Sequence, residues 1–415
     1  MNRVVVTGIG AVSPLGNSFH DSWNAVKNGS SGIKTVTRFD TKNLRWKVAG
    51  ELKGFDPGEY LSRKEMSRLD AFIHYAVAAA VMAAKDAGFL SEHLSCAGVI
   101  IGSSRGGIGT LEKAILKNQG TEPGGGNNLS GNSRRVSAYL MPATTVSMAS
   151  SYIAQKLGMR GYCLGISNAC ASGTNAIGEA CRLIRSGYRY PVFCGGAEAP
   201  VCRICFEGYG ASGALSKVCD ATASRPFDGT RDGFVLAEGA CVLTLEEYNS
   251  AKKRGARIYG EITGYGNTSD AFHQTLPAAE GEARAICAAI EEAHLNPDDI
   301  GFINAHGTST PTGDKTESEA IKISFGSKAY HVPVTSVKSM TGHMLAASGA
   351  LEAAFTLKSI EEGIIPPTIN LIQRDPACDL DYVTATRKSE IPFALSHSFG
   401  FGGVNAVLAF KSAGA

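Results

Sequence analysis

The stretch Ile166-Ser167-Asn168-Ala169-Cys170-Ala171-Ser172-Gly173-Thr174-Asn175-Ala176-Ile177-Gly178 decides how the chain is read. Residues 162–166 before it form a short apolar run, and residues 176–185 after it carry helix formers that Ser186-Gly187 ends. The pattern predicts a strand, a tight turn and a helix, with Cys170 in the turn. A thiol placed there meets free backbone N–H groups and the positive end of a helix dipole, both of which favour the thiolate. The same N–H groups suit an oxyanion formed when a thiolate attacks a carbonyl. Small neighbours (Ala169, Ala171, Ser172, Gly173) clear space for a substrate. A buried structural cysteine fits this stretch equally well, so the rest of the chain decides.

With 415 residues the chain is too long for one small core. Its 44% apolar and 19% charged residues are those of an ordinary globular protein, and a net charge of +2 argues against broad binding to nucleic acid or membrane. Eleven cysteines, an odd number at irregular spacing, point to a reducing compartment, with the cytoplasm as the default. Cys202-Arg203-Ile204-Cys205 has no second pair nearby and does not make a zinc site. Residues 1–10 suit a first strand better than a signal peptide. Gly8-Ile9-Gly10 is followed by Ser13 where a dinucleotide fingerprint needs glycine, so it reads as a tight turn. Residues 71–84 are alanine-rich and too short to span a bilayer.

Strands alternate with helices from end to end, which predicts an α/β architecture. Residues 118–132, with Gly124-Gly125-Gly126, read as a surface loop. Charges near 246–254 followed by Gly255 suggest a crossover near residue 250, dividing the chain into halves 1–250 and 251–415. In the second half, strand 300–304 delivers Ala305-His306-Gly307, and Asp314 with Glu317 makes a capping-box pattern. Strand 332–337 delivers Lys338-Ser339-Met340-Thr341-Gly342-His343 ahead of another helix. Ala347-Ser348-Gly349 there echoes Ala171-Ser172-Gly173, as two halves of related topology would.

Cys170, His306 and His343 thus stand at three strand ends, with Lys338 beside the last, where chemistry in open α/β sheets gathers. No two histidines lie three to five residues apart, so no metal is expected. A thiolate takes up an acyl group, and two neutral imidazoles donating N–H bonds steady an enolate formed from a second thioester. A lysine orients them. This set suits decarboxylative carbon–carbon bond formation better than hydrolysis, which needs one histidine and an admitted water. Phe399-Gly400-Phe401-Gly402-Gly403 suits core packing or a gate over the acyl site.

Asn168-Ala169-Cys170-Ala171-Ser172-Gly173, Asn304-Ala305-His306-Gly307-Thr308-Ser309-Thr310-Pro311, Lys338-Ser339-Met340-Thr341-Gly342-His343 and Phe399-Gly400-Phe401-Gly402-Gly403 together resemble the β-ketoacyl-[acyl-carrier-protein] synthases. The likeness is greatest to the synthase II type of fatty-acid and type II polyketide systems. It spans essentially the whole chain, including Ser224-Arg225-Pro226-Phe227-Asp228 and Arg231-Asp232-Gly233-Phe234. The resemblance implies a thiolase fold, two pseudo-equivalent halves in five α-β-α-β-α layers, working as a dimer. The first half carries the nucleophile and the second the two histidines. By matching positions it makes Cys170 the acyl acceptor, His306 and His343 the decarboxylation pair, Lys338 the orienting cation and Glu352 its structural acid. Thr308 and Thr310 are implied contacts of a phosphopantetheine arm. Phe401 is the implied gate, its N–H completing an oxyanion hole with that of Cys170, and Phe399 supports it. Arg105, Leu140 and Tyr209 are implied acyl-pocket residues. Lys64, Arg68 and Arg63 are candidates for docking an acidic acyl carrier protein, which brings the arm, so no soluble cofactor is implied.

Arg105 departs from the family, which usually has an apolar residue there, and an unpaired charge is costly to bury. A long saturated chain is therefore expected to fit poorly, and a specialised polyketide or polyene ketosynthase paired with a chain-length-factor partner is the alternative to a housekeeping homodimer. A non-catalytic partner subunit would lack the nucleophile that this chain keeps. A thiolase would carry a second cysteine where Phe399-Gly400-Phe401 stands, and a cysteine hydrolase has no use for the paired histidines and lysine.

Overall fold

The first half supplies β1 (Val4–Val12), β2 (Gly98–Gly102), β3 (Cys163–Ile166), β4 (Val192–Glu198) and β5 (Gly239–Glu247), all but β3 being apolar, glycine-containing runs buried along almost their whole length. Only β3 is open to solvent, as befits an edge. The second half supplies β6 (Gly260–Ser269), β7 (Phe302–Asn304), β8 (Val334–Thr335), β9 (Phe393–Gly400) and β10 (Val404–Lys411). The computed structural model describes residues 2–90, 94–119 and 136–414, so the glycine-rich segment 118–132 lies, from residue 120 on, outside the described residues.

The spatial order is β8-β7-β9-β10-β6-β1-β5-β4-β2-β3. Within each half this is third, second, fourth, fifth, first. The pairings agree as well: β2 lies parallel to β3 and β4, as β7 does to β8 and β9, while β4–β5 and β9–β10 are antiparallel. The halves join where β1 pairs antiparallel with β6, Val4 opposite Ile262 and Val6 opposite Gly260. Last strand of one half and first of the other, β5 and β6, are separated by residues 248–259.

Helices sort into layers around the two halves of this ten-stranded sheet. α1 (Ala71–Asp86) and α2 (Met148–Leu157) cover the outer face of the first half. α3 (Ser172–Arg185) and α6 (Ala346–Glu362) pack on one another between the halves, and α4 (Ala279–Glu292) with α5 (Pro311–Phe325) covers the outer face of the second. The five-layered thiolase architecture follows. Ten of the sixteen residues of α1 are buried, six of them alanine, because the helix lies almost on the strand beneath it.

Two local readings change. Gly8-Ile9-Gly10 lies inside β1 rather than in a turn: a Cβ on Gly10 would stand 2.0 Å from the Ala79 carbonyl oxygen, so glycine there admits α1. α5 is capped by Thr310, whose hydroxyl accepts the Gly313 N–H at 3.2 Å, with Pro311 in the first turn. Asp314 and Glu317 instead sit inside the helix and turn back on the loop that carries His306.

Candidate active site

Cys170 follows β3 and precedes α3. Ala169 adopts φ 48°, and the turn is braced by Asn168 N–H to Ser172 Oγ at 2.8 Å and Ser172 O–H to the Ala169 carbonyl at 2.6 Å. Ala171 at the N-cap of α3 offers no side-chain cap, so first-turn N–H groups of the helix are left facing the turn among the described residues. The Phe401 N–H points at the Cys170 sulfur, and Gly400 packs against the Cys170 nitrogen so closely that a Cβ there would stand 3.2 Å away.

His343 and His306 arrive from the second half. His343 Nε2 is 3.1 Å from Cys170 Sγ, and its Nδ1 is 3.1 Å from Ser348 Oγ. Ser348 already accepts the Met344 N–H at 2.8 Å, which leaves its own proton for His343 Nδ1 and places the imidazole proton on Nε2. His306 Nδ1 is 3.3 Å from Lys338 Nζ, a donor only, so its proton also sits on Nε2. Lys338 Nζ pairs with Glu352 Oε1 at 2.5 Å in full burial, the side chains being 1% and 2% exposed. Glu317 fixes the other side of His306. Its carboxylate accepts the His306 and Gly307 N–H groups at 2.8 and 2.7 Å and meets His397 Nδ1 at 3.1 Å. The sulfur and one nitrogen of each ring lie within 4.8 Å of one another. An ammonium beside His306 repels a cation from that set.

Burial pushes the Cys170 thiol up to about 12, against the downward pull of Lys338, Arg105 and the Phe401 N–H. The turn is expected to favour the thiolate; burial of the sulfur opposes that charge. Burial first, and Lys338 second, hold both His306 and His343 well below the ordinary imidazole range. Both rings are neutral N–H donors at neutral pH.

A cavity of about 330 Å³ opens onto this group. Tyr209, Phe234, Phe399 and Phe401 line it, as do Thr308 and Thr310, whose hydroxyls are 3.0 Å apart. Leu140 does not line this cavity. It borders a second one with Arg68, Lys113 and Tyr139, because its short helix, Leu140–Thr144, packs toward the helix Ile108–Gln119. Arg105 does not line it either and is not buried unpaired. It is exposed in this chain, with Nε 2.8 Å from the Tyr209 hydroxyl and its guanidinium 5.3 Å from the ring centroid. Arg63 and Lys64 are exposed on the one-turn helix Arg63–Met66, while Arg68 lies over Tyr139 at 4.3 Å. Ser348, Glu317 and Phe234 were not singled out as site residues. The Ala-Ser-Gly echo held a signal for Ser348, whereas Glu317 has none because its reach back to residue 306 is set only by the fold.

A pseudo-symmetric α/β fold that brings a cysteine, two neutral imidazoles and a buried ion pair together defines a condensing acyltransferase. Residues 1–251 match the family described as "Beta-ketoacyl synthase, N-terminal domain" and residues 259–372 match "Beta-ketoacyl synthase, C-terminal domain". The chain is 45% identical to a "3-oxoacyl-[acyl-carrier-protein] synthase 2" of Synechocystis sp., covering 99% of this chain and 98% of that one. It is likewise 45% identical, at the same coverage, to the protein of that name in Staphylococcus aureus (strain COL). Among solved structures it is similar to "The ishigamide ketosynthase/chain length factor" (TM-score 0.92, 35% identity, 99% of both chains). A beta-ketoacyl synthase from Burkholderia phymatum gives TM-score 0.90 and 35% identity over 99% of this chain and 100% of that one. The chain belongs to the β-ketoacyl synthase family. Its activity is that of a ketosynthase, an acyltransferase that forms a carbon–carbon bond by condensation. No helix among the described residues is long and apolar enough to cross a membrane.

Proposed function

We propose that the chain condenses an acyl group held on Cys170 with malonyl carried on acyl carrier protein, lengthening the acyl chain by two carbons. The observation that carries this is the meeting of Cys170 Sγ, His306 and His343 within 4.8 Å at the end of a cavity. In the first step Cys170 sulfur attacks the thioester carbonyl, and the N–H groups of Cys170 and Phe401 hold the oxyanion. The carrier thiol leaves with the proton that Cys170 gives up. In the second step malonyl thioester loses CO2, and the Nε2–H groups of His306 and His343 hold the enolate oxygen. The enolate carbon then attacks the Cys170 thioester, and the Cys170 sulfur departs as a thiolate that takes its proton from solvent. Lys338, fixed by Glu352, keeps the His306 proton on Nε2. Phe401 and Phe399 act as gate and support. Thr308 and Thr310 hold the arm, which the carrier supplies, so the chain itself needs no soluble cofactor. Arg63, Lys64 and Arg68 form the basic ground on which an acidic carrier docks.

The active assembly pairs two ketosynthase-fold chains, either two copies or one copy with a chain-length-factor-like partner. Among the described residues the outer edge of β3 is unpaired, and Tyr162 and Leu164 beside and within it are 42% and 37% exposed. All eleven cysteines are free, which supports residence in a reducing cytoplasm. Arg105 favours a specialised polyketide-type ketosynthase over one that makes long saturated chains, since its charge meets the cavity wall through Tyr209. Incubation with acyl carriers of graded length, read by intact-protein mass and by condensation product, tests the reading. It predicts acyl mass on wild type, none on Cys170→Ala, and a two-carbon product. An unacylated Cys170 with product still formed overturns it.

A further inference from the structure

Tyr209 lines the cavity, and its hydroxyl is paired with Arg105, which is exposed and lies outside the lining. Tyr209 shares a side-chain cluster with Phe206, Phe234, Leu345 and Cys170 itself, and its ring lies 5.5 Å from Phe234 and 6.5 Å from Phe401. Its hydroxyl accepts the Arg105 Nε–H at 2.8 Å. A phenol has one proton to give, and among the described residues the Tyr209 hydroxyl has no acceptor for it. Burial, and after it the proximity of Cys170, raises the Tyr209 pKa, so the hydroxyl keeps that proton at every working pH. A guanidinium on the oxygen polarises the O–H and makes it a stronger donor. A wall meant only for methylene groups gains nothing from such a donor, because a saturated chain pressed against it strips its water and returns no acceptor.

We propose that Tyr209 is a specificity-determining residue that donates a hydrogen bond to an oxygen on the acyl chain held by Cys170, with Arg105 as its positioning residue. The preferred substrate is then a chain with an oxo or hydroxyl group near the thioester rather than a fully saturated one. This rests on the condensation reading above and names the substrate class of the same site.

The test uses hexanoyl, 3-hydroxyhexanoyl and 3-oxohexanoyl carriers with malonyl carrier, measuring kcat/KM for wild type, Tyr209→Phe, Arg105→Leu and the double variant. Wild type is expected to prefer an oxygenated chain over hexanoyl. Tyr209→Phe lowers the oxygenated-to-saturated ratio about tenfold, the worth of one good hydrogen bond. Arg105→Leu lowers it roughly threefold, and adding it to Tyr209→Phe changes nothing further, because Arg105 acts only through the hydroxyl. If Tyr209→Phe does not fold, Arg105→Leu, altered at an exposed side chain, still decides through the ratio. An unchanged ratio in the single variants, or a further drop in the double variant, overturns the assignment. Wild type inactive on all three carriers would overturn the condensation reading instead.

Discussion

Cys170 is held by opposing forces: burial pushes its thiol up to about 12, while His343 Nε2 at 3.1 Å and the Phe401 N–H favour negative charge on sulfur. The free enzyme therefore keeps a thiol, and alkylation by iodoacetamide is predicted to be slow at pH 7 and to accelerate steadily up to pH 10. A fast plateau at neutral pH would contradict the account. The two imidazoles carry a second prediction. Their folded pKa values lie well below the 6.5 of an exposed ring, so the unfolded chain binds more protons as pH falls beneath 6.5. Their contribution to stability is complete above that pH and is lost on the acid side. Urea midpoints are expected to be level from pH 7 to 8 and to fall toward pH 5, the fall being shallower in His306→Asn. These residues were legible in the sequence because each sits in its own short motif. The protonation state of Cys170 was not, since it depends on how deeply the folded chain buries the sulfur.

The helices α3 and α6 cross where the Ala-Ser-Gly echo falls. A Cβ on Gly173 would stand 2.2 Å from the Ala346 carbonyl oxygen, and one on Gly349 would stand 2.0 Å from Thr174 Oγ1. The repeat visible in the sequence is thus the mark of two helices in contact about a pseudo-twofold. Gly173→Ala is predicted to cost about 3 kcal/mol or more, read by chemical denaturation, because a backbone carbonyl has little room to yield. The Lys338–Glu352 pair gives a complementary expectation. Lys338→Ala leaves a buried carboxylate uncompensated and costs about 3–5 kcal/mol, whereas Lys338→Met with Glu352→Leu restores much of the stability without activity. Recovery of activity in the double variant would remove Lys338 from the site. Asp314 and Glu317 escaped the sequence reading at this scale. A capping-box spacing was present, but Thr310 with Pro311 made the stronger helix start, and the two carboxylates were left to hold the Phe227, Ser309, His306 and Gly307 N–H groups.

Across the whole molecule, alternation of strand and helix announced an α/β fold, but the common strand order of the halves emerges only from pairings far apart in the chain. Among the described residues that order leaves β3 as an open edge, four residues before Cys170. Light scattering is predicted to give twice the 43.4 kDa of one chain if two copies pair, and Leu164→Asp on that edge to shift the mass toward one chain. The first half supplies the sulfur and the second both imidazoles, so the two partial reactions should separate by half. The most direct measurement is CO2 release from malonyl carrier alongside condensation product for Cys170→Gln and for His343→Ala. Cys170→Gln is predicted to abolish condensation while CO2 release persists, and His343→Ala to suppress both; loss of CO2 release in Cys170→Gln would contradict the division of labour proposed for the site.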